Sequence, residues 1–263
     1  MAMSWSVKRQ FFYFLIILIG AIIAGVILIW PYVNKEPTCF DGKMNGSEAG
    51  IDCGGSCQKV CTADALSLVT LWSRAFEVTP GKYNLMAYVE NQNRESGIAT
   101  MSYEFKVYDD KNIFIARKSG TTFITSNDRT VIFEPSIDTG NREVKRTTFE
   151  FTSAPLWTKV DRDQRNALAV SSEDKVLLNP LSSPKLEAQI LNKTLNEIKN
   201  LDVYAILFDE NDNAINVSKT LISILPENSR MPVVFTWPKP LPARPTRIEV
   251  IPQVNIFEIN FND

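Results

Sequence analysis

An uncharged apolar stretch near the amino terminus constrains this chain more than any other feature. Residues 11–30 carry no charged side chain, and Tyr13 holds their only side-chain hydroxyl. As a helix that rises 1.5 Å per residue, about twenty residues cover roughly 30 Å, the thickness of the hydrocarbon core of a bilayer. A soluble helix would show a polar stripe, which this stretch lacks. We therefore expect a single transmembrane helix over residues 11–31, closed by Pro31.

The residues that flank this stretch predict its orientation. Lys8 and Arg9 precede it without an acidic neighbour. On the other side, Lys35 is followed at once by Glu36. Because positive residues favour the cytoplasmic side, we expect a cytoplasmic tail over residues 1–10 and all residues after about 33 outside the plasma membrane. The lipid bilayer is then a partner of the helix. A cleaved signal peptide is the alternative, although its apolar region is usually shorter and ends in a small-x-small site.

Small residues recur on the apolar stretch at helical spacing. Two pairs stand four residues apart, Gly20 with Ala24 and Ala21 with Gly25. Small side chains at this spacing let two membrane helices approach each other closely. A homodimer through this stripe is one interpretation, and a lone helix with ordinary small residues is the other.

All four cysteines lie in one short polar segment, at Cys39, Cys53, Cys57 and Cys61. An even number of cysteines in an exported segment predicts two disulfides, and three pairings are open. The segment has few apolar residues, so cross-links would supply the stability that a core cannot. Zinc held by four thiolates is an alternative, but zinc sites usually place their cysteines in two close pairs. We expect a disulfide-rich neck over residues 32–63.

The same segment mixes oxygen-bearing side chains with glycines. Its candidate ligands are Asp41, Asn45, Glu48 and Asp52, and five glycines lie between or beside them. Oxygen ligands on a glycine-rich loop suit calcium, although the spacing differs from that of an EF-hand. The other interpretation is that these residues cap the turns of a small soluble loop. Calcium is the one cofactor that the sequence suggests.

From Cys39 to Cys57 the chain resembles a short motif of secreted and surface proteins, written C-x-D-G-x-x-N-G-x-E-x-G-x-D-C-G-G-x-C. The match covers only a small part of the chain. The resemblance implies an extracytoplasmic, disulfide-bonded module, and it implies no particular chemistry.

The rest of the chain is predicted to form β-strands in two related halves. In residues 101–107, apolar and polar side chains alternate, which places one face on a core and the other in water. Residues 84–91 can be laid over residues 185–192, and residues 103–109 over residues 203–209, at a nearly constant offset. A repeat of about one hundred residues has the size of an immunoglobulin-like sandwich.

These patterns predict a mainly β protein with one N-terminal transmembrane helix, a disulfide-rich neck and two tandem immunoglobulin-like sandwiches. We expect the sandwiches over residues 64–160 and 181–263. Residues 161–180 are charged and then rich in Ser, Asn and Pro, which favours a linker. The last two strands are expected over residues 247–251 and 255–261.

A five-residue segment, Phe105-Lys-Val-Tyr108-Asp109, resembles the core signature of the FxLYD family. Phe208 and Asp209 end a weaker copy at the repeat offset. The resemblance implies an extracytoplasmic domain with an immunoglobulin-like sandwich and no common enzymatic activity. In physical terms, Asp109 can accept hydrogen bonds from the amides of the turn that follows it. A ligand role for the two aspartates is the alternative.

Composition excludes several classes of function. The chain has no histidine, which removes Ser-His-Asp, Cys-His and His-zinc chemistry. Its 28 basic and 30 acidic residues leave a net charge of -2, so it has no electrostatic footprint for nucleic acid. Three residues separate Cys53 from Cys57, which disfavours a thioredoxin-like redox pair.

The function expected from these observations is that of a non-enzymatic binding or structural protein. It would be anchored in the membrane, would lie outside the cytoplasm, and would have other proteins of the cell envelope as partners. Acids are plentiful in the chain, so a carboxylate-based extracellular hydrolase, such as a glycosidase, is the alternative.

Overall fold

A computed structural model of the chain describes residues 5–33, 35–166 and 168–259. The chain divides into two units, residues 1–57 and residues 58–263. The first unit contains one long helix and a series of turns. The second unit contains thirteen strands and two short helical segments in its described residues. The predicted fold class, mainly β with one N-terminal apolar helix and a small disulfide-bonded region, is confirmed.

The N-terminal helix, α1, spans Trp5–Val33 and is longer than predicted. Its apolar part, Arg9–Val33, has a mean hydropathy of 3.0 and is not buried in the described chain, so it is long and apolar enough to span a membrane. Pro31 removes one amide from the last turn, and the helix ends two residues after it. The side chain of Lys8, used above to predict the orientation, lies outside the described residues.

The first half of the second unit is a β-sandwich. After a short 3-10 turn at Thr62–Asp64, its strands are β1 Val69–Thr79, β2 Lys82–Asn91, β3 Ser96–Tyr108, β4 Phe114–Ile124, β5 Asp128–Asp138, β6 Arg146–Phe151 and β7 Thr158–Lys159. One antiparallel sheet has the order β1-β2-β5, and the other has the order β4-β3-β6 with β7 paired to the start of β3. Inward side chains of both sheets, such as the fully buried Leu85 and Phe105, form the core between them.

The second half repeats this architecture. Its elements are α2 Arg162–Asn166, β8 Val170–Leu178, β9 Lys185–Asn192, β10 Ile198–Phe208, β11 Ala214–Leu225, β12 Arg230–Thr236 and β13 Arg247–Gln253. The sheets have the orders β12-β9-β8 and β11-β10-β13, which are those of the first half strand for strand. The core between them includes the buried Leu186, Val203 and Phe235.

Two segments differ from the sequence-based expectation. Residues 161–180 contain α2 and β8, because Val170 and Leu177 pack on the core of the second sandwich. Of the charged residues that favoured a linker, those of 161–165 lie at α2, and those of 173–175 lie at a bulge between Glu173 and Val176 in β8. Residues 255–259 form a turn instead of a strand, with the buried Ile256 packed into the same core. Residues 260 and 261 of that predicted strand lie outside the described residues.

The two sandwiches pack against each other sheet to sheet. The outer face of β1-β2-β5 meets the outer face of β11-β10-β13 across a layer of buried side chains: Phe76, Met86, Tyr88, Val131, Tyr204, Ile206, Phe208, Ala214 and Val217. Polar contacts surround this layer, including a hydrogen bond of 2.7 Å from the Val131 amide to Oε1 of Gln253. The second unit is therefore one body with three apolar layers.

The two remaining outer faces carry ion pairs between charged side chains. On β4-β3-β6, Lys106 lies 2.9 Å from Glu104 and 2.6 Å from Glu150. The same register positions of the second sandwich hold Ile206, Tyr204 and Ile251, which face the apolar layer between the sandwiches. On β12-β9-β8, Lys185 and Glu187 form an ion pair of 2.6 Å along β9. The buried apolar layer therefore occurs where the sandwiches meet, whereas the other two outer faces carry ion pairs, with the exposed Val176, Leu178 and Val234 beside Lys185 and Glu187.

Candidate functional site

The two signature aspartates close matching turns at the ends of β3 and β10. In each turn, Oδ1 of the aspartate accepts hydrogen bonds from the amides two and four residues ahead, at 2.8–3.0 Å. Arg142 also donates to Asp109, and together with those amides it holds the pKa of the Asp109 carboxyl below its usual value. For Asp209, the amide of Asn213 is the main cause of a lowered pKa. These contacts give both aspartates a structural role in the turn.

An arginine at the start of β6 in the first sandwich, and of β13 in the second, stacks on the signature aromatic ring. The guanidinium carbon of Arg146 lies 4.0 Å from the ring centre of Tyr108, and that of Arg247 lies 3.6 Å from the ring centre of Phe208. Nε of each arginine donates at 3.0 Å to the side chain of a turn residue with left-handed backbone. Tyr108 is half-buried, whereas Phe208 is buried because the first sandwich covers its face. The signature residues therefore join the end of β3 to the next turn and to β6, and the end of β10 to the next turn and to β13.

The cysteine segment is oxidised. Cys39 and Cys57 form a disulfide with their Cα atoms 5.6 Å apart, and Cys53 and Cys61 are disulfide-bonded as well. No described cysteine is free, so the four thiolates that a zinc site requires do not exist. The backbone of Gly55 has a φ of +55°, and a Cβ there would lie 1.6 Å from the carbonyl oxygen of Ser47. Glycine is therefore required at this turn.

The candidate calcium ligands serve the turns of this segment. Both oxygens of the Asp52 carboxylate accept from one glycine amide at 3.0 Å. Asp41 accepts from the Asn45 side chain at 2.9 Å, which lowers the pKa of the Asp41 carboxyl, and Glu48 accepts from the Asn45 amide at 3.2 Å. The metal-like cluster that the described residues do form joins Glu48 to the two sulfurs of a disulfide, which are not metal ligands. Calcium binding by these residues stays a prediction.

The small residues of α1 lie on a surface of the helix that is accessible to a second helix. No described atom outside the helix lies within 4 Å of a Cβ built on Gly20 or Gly25. Ala21 and Ala24 are exposed on the same helix. A homodimer through these four residues stays a prediction.

Two buried asparagines that the sequence analysis did not single out organise one end of each sandwich. At the end of β2, Nδ2 of Asn91 donates to the carbonyls of Ser96 at 2.9 Å and Thr125 at 2.7 Å. Its Oδ1 accepts from the amide and the side chain of Asn93. This side chain therefore ties the loop between β2 and β3 to the end of β4.

Asn192 repeats the device at the end of β9. Its Nδ2 donates to three backbone carbonyls, those of Asn196, Leu225 and Pro226, and its Oδ1 accepts from the amide and hydroxyl of Thr194. The signal was present in the sequence, because both segments of the aligned repeat end in asparagine. A buried amide that satisfies several loop groups explains why that position is polar.

The loops that Asn91 holds, after β2 and after β4, form walls of a cavity in the second unit, between the first sandwich and α2. Its volume is about 590 Å³, and the residues that line it include Arg94, Glu95, Ser126, Asn127, Asp128 and Arg165. The amide of Asn127 donates to the carbonyl of Asn93 at 2.8 Å. Sequence patterns did not identify this cavity, because its residues come from two loops and a short helix with no shared spacing.

No family model and no curated protein matches this chain. Among solved structures, red sea bream transglutaminase matches with a TM-score of 0.19 and 10% sequence identity, over 70% of this chain and 29% of that chain. The chain thus spans under a third of the length of that protein. A similarity at this level carries no argument about function.

Proposed function

We propose that this chain is a single-pass membrane protein whose cysteine segment and sandwiches lie outside the plasma membrane, where they bind or space other proteins of the cell envelope. The observation that carries the proposal is α1, whose 25-residue segment from Arg9 to Val33 is predominantly apolar and is not buried in the described chain. Exposed apolar surface of this extent needs a lipid environment. The helix serves as an uncleaved anchor, with residues 1–10 in the cytoplasm.

The cysteines and the signature residues support an exported, non-enzymatic role. All four cysteines are disulfide-bonded, and disulfides persist in oxidising compartments. The resemblance to the FxLYD family points to the same setting. Asp109 and Asp209 are engaged by turn amides, and the aromatic residues beside them are engaged by arginines, as in a scaffold.

Protease protection tests the topology. A chain with one epitope tag at each end is expressed in cells, and intact cells that have no outer membrane or cell wall to exclude proteases are treated with proteinase K. The carboxyl-terminal tag should be digested and the amino-terminal tag should be protected until the cells are lysed. Protection of the carboxyl-terminal tag, or a purified chain that begins near residue 33, would overturn the proposal.

Substitutions at the flanks of the helix provide a matched control. Exchange of Lys8 and Arg9 for glutamate removes the positive charge from the cytoplasmic flank and should invert or scramble the orientation. Exchange of Lys35 for glutamine changes one charge on the other flank and should leave the protected tag unchanged. Equal behaviour of the two variants would show that charge does not set the topology.

A further inference from the structure

We propose that the cavity lined by Arg94 and Arg165 binds a small zwitterion, a ligand of about dipeptide size with one ammonium and one carboxylate. The cavity lies at the end of the first sandwich that carries the loop between the second and third strands. In immunoglobulin-like sandwiches, the loops gather at the two ends and carry the binding residues. A volume of about 590 Å³ is within the range of small-molecule sites.

The charges on the cavity wall fit a ligand with both signs. Arg94 and Arg165 contribute two guanidinium groups, and Glu95 and Asp128 contribute two carboxylates. In the described part of the chain, the side chain of Arg94 forms no hydrogen bond or ion pair. Arg165 uses one nitrogen to donate to the Val160 carbonyl at 2.7 Å and keeps its other N–H groups for a ligand. A simple anion or a simple cation would meet two like charges, whereas a zwitterion can pair with both kinds.

A buried hydroxyl on the wall lacks a partner. Ser126 is only 2% exposed, and its Oγ forms no hydrogen bond within the described residues. A buried polar atom in this state lowers the stability of the fold unless something binds it. The hydroxyl is covered in the free chain, and a small shift of this side chain toward the cavity would let it donate a hydrogen bond to a ligand carboxylate and offset that cost.

Hydrogen bonds hold the backbone of the cavity walls in place before a ligand binds. The side chain of Asn93 exchanges two hydrogen bonds of 2.8 Å with the backbone of Leu66, and its carbonyl accepts from the amide of Asn127. On the other wall, Asp161 and Gln164 form a reciprocal capping pair at the start of α2, at 2.8 and 3.0 Å. Walls held in this way lose little entropy when a ligand binds.

The second sandwich provides an internal comparison. A cavity of about 570 Å³ lies at the same end of that sandwich, between loops of the same strands. The repeat places Leu195 where the first sandwich has Arg94, and Glu227 where it has Ser126. This second cavity contains glutamates and no arginine among the residues that line it. Its basic lining residue, Lys199, is already paired with Glu197 at 3.6 Å, so we expect binding only at the first cavity.

Calorimetric titration of the full chain in detergent tests the proposal with three probes. The first is the dipeptide Ala-Ala, a zwitterion. The second is its N-acetyl form, which is only an anion, and the third is its C-terminal amide, which is only a cation. We expect Ala-Ala to bind with a Kd at least about tenfold below that of either blocked form, since each loses one charge-assisted contact. Undetectable binding of Ala-Ala at millimolar concentration, or equal affinity for the blocked forms, would overturn the proposal.

Variants assign the binding to this cavity. Arg94→Gln and Glu95→Gln change exposed side chains and should each weaken Ala-Ala binding about tenfold. Ser126→Ala should weaken binding and also raise the melting temperature of the unliganded chain, because it removes the unpaired hydroxyl. The matched control, Glu227→Gln in the second cavity, should leave the Kd unchanged. An equal loss in the control would place the ligand elsewhere, and neither outcome bears on the membrane topology.

Discussion

Arg74 of β1 donates from Nη2 to Oδ1 of Asn213, a residue 139 positions later in the chain, at 2.9 Å. Its Nη1 donates to the carbonyl of the next residue, Ala214, at 3.1 Å. One arginine of the first sandwich thus holds the signature turn of the second sandwich. The two sandwiches therefore depend on each other for stability, and a change in the layer between them should destabilise the whole second unit.

Exchange of Ile206 for lysine should destabilise the chain strongly. Ile206 is fully buried in the layer between the sandwiches, and lysine there would place a charged group in an apolar layer. We expect a loss of about 3 kcal/mol or more in the free energy of unfolding, measured by urea denaturation. The repeat supplies the control, because the equivalent position of the first sandwich already holds the partly exposed Lys106. Lys106→Ile should change the stability far less, and an equal loss in both variants would contradict a buried layer.

Loss of either buried asparagine should open one end of its sandwich. Asn192→Ala leaves one buried and two partly buried hydrogen bonds to carbonyls without their donor, so we expect a loss of about 1 to 3 kcal/mol in the free energy of unfolding. Asn91→Ala should cost a similar amount. Asn216→Ala, at a half-buried strand position, is the control and should stay within about 0.5 kcal/mol of the parent. A neutral Asn192→Ala would remove the role assigned to this residue.

Asn192 also begins an Asn-Lys-Thr glycosylation sequon, and the structure predicts that it stays unmodified. The residue is 2% exposed, and its side-chain nitrogen is engaged by three carbonyls. If the chain is expressed in a host that glycosylates secreted proteins, mass spectrometry of the peptide with residue 192 should find the unmodified mass. A folded protein with a glycan at this position would show that the loop is open.

The turn after β3 should weaken in acid. The pKa of the Asp109 carboxyl is lowered from 3.8 in the folded chain, chiefly by Arg142, so the stabilisation is complete above about pH 4 and is lost as the pH falls through the lowered value. Urea denaturation from pH 7 to pH 3 should show this fall in the parent and a shallower fall in Asp109→Asn. Asp110→Asn, one residue further on, should retain the parent profile. Parallel profiles for all three chains would contradict the assignment.

The disulfide between Cys39 and Cys57 should hold its turns in place. The bond closes a loop with a sequence separation of 18, for which the chain-entropy model gives about 3 kcal/mol. Replacement of both cysteines by serine should make residues 35–57 sensitive to limited proteolysis, with cleavage sites read by mass spectrometry. Ser47→Ala is a control that keeps the bond, and it should retain the parent cleavage pattern.

Local patterns predicted much of this fold, and long-range contacts decided the rest. The alternation in residues 101–107 identified a strand with one face in water, and Lys106 does lie on a polar outer face. Residues 203–208 form an unbroken apolar run, which is typical of a strand covered on both sides. That difference marks the contact between the sandwiches, but it emerges only when the two copies are compared position by position.

The candidate sites show the same division. The turn after Asp109 could be predicted from its residues, because the amides that Asp109 accepts from lie two and four residues ahead. The cavity between Arg94 and Arg165 could not be recognised, since its walls meet only after the first sandwich and α2 have packed. The charged bulge in β8 led to the prediction of a linker where the chain forms a strand, because a local excess of charge is typical of linkers.

The charged outer faces limit what copies of this chain can do to one another. The contact inside the pair joins two different faces, a head-to-tail geometry that would build a fibre if it continued from molecule to molecule. To continue it, a neighbour would have to strip water from the ions around Lys106 at one end and from the Lys185–Glu187 pair at the other. These charges therefore oppose polymerisation of crowded copies through the surface that holds each one together.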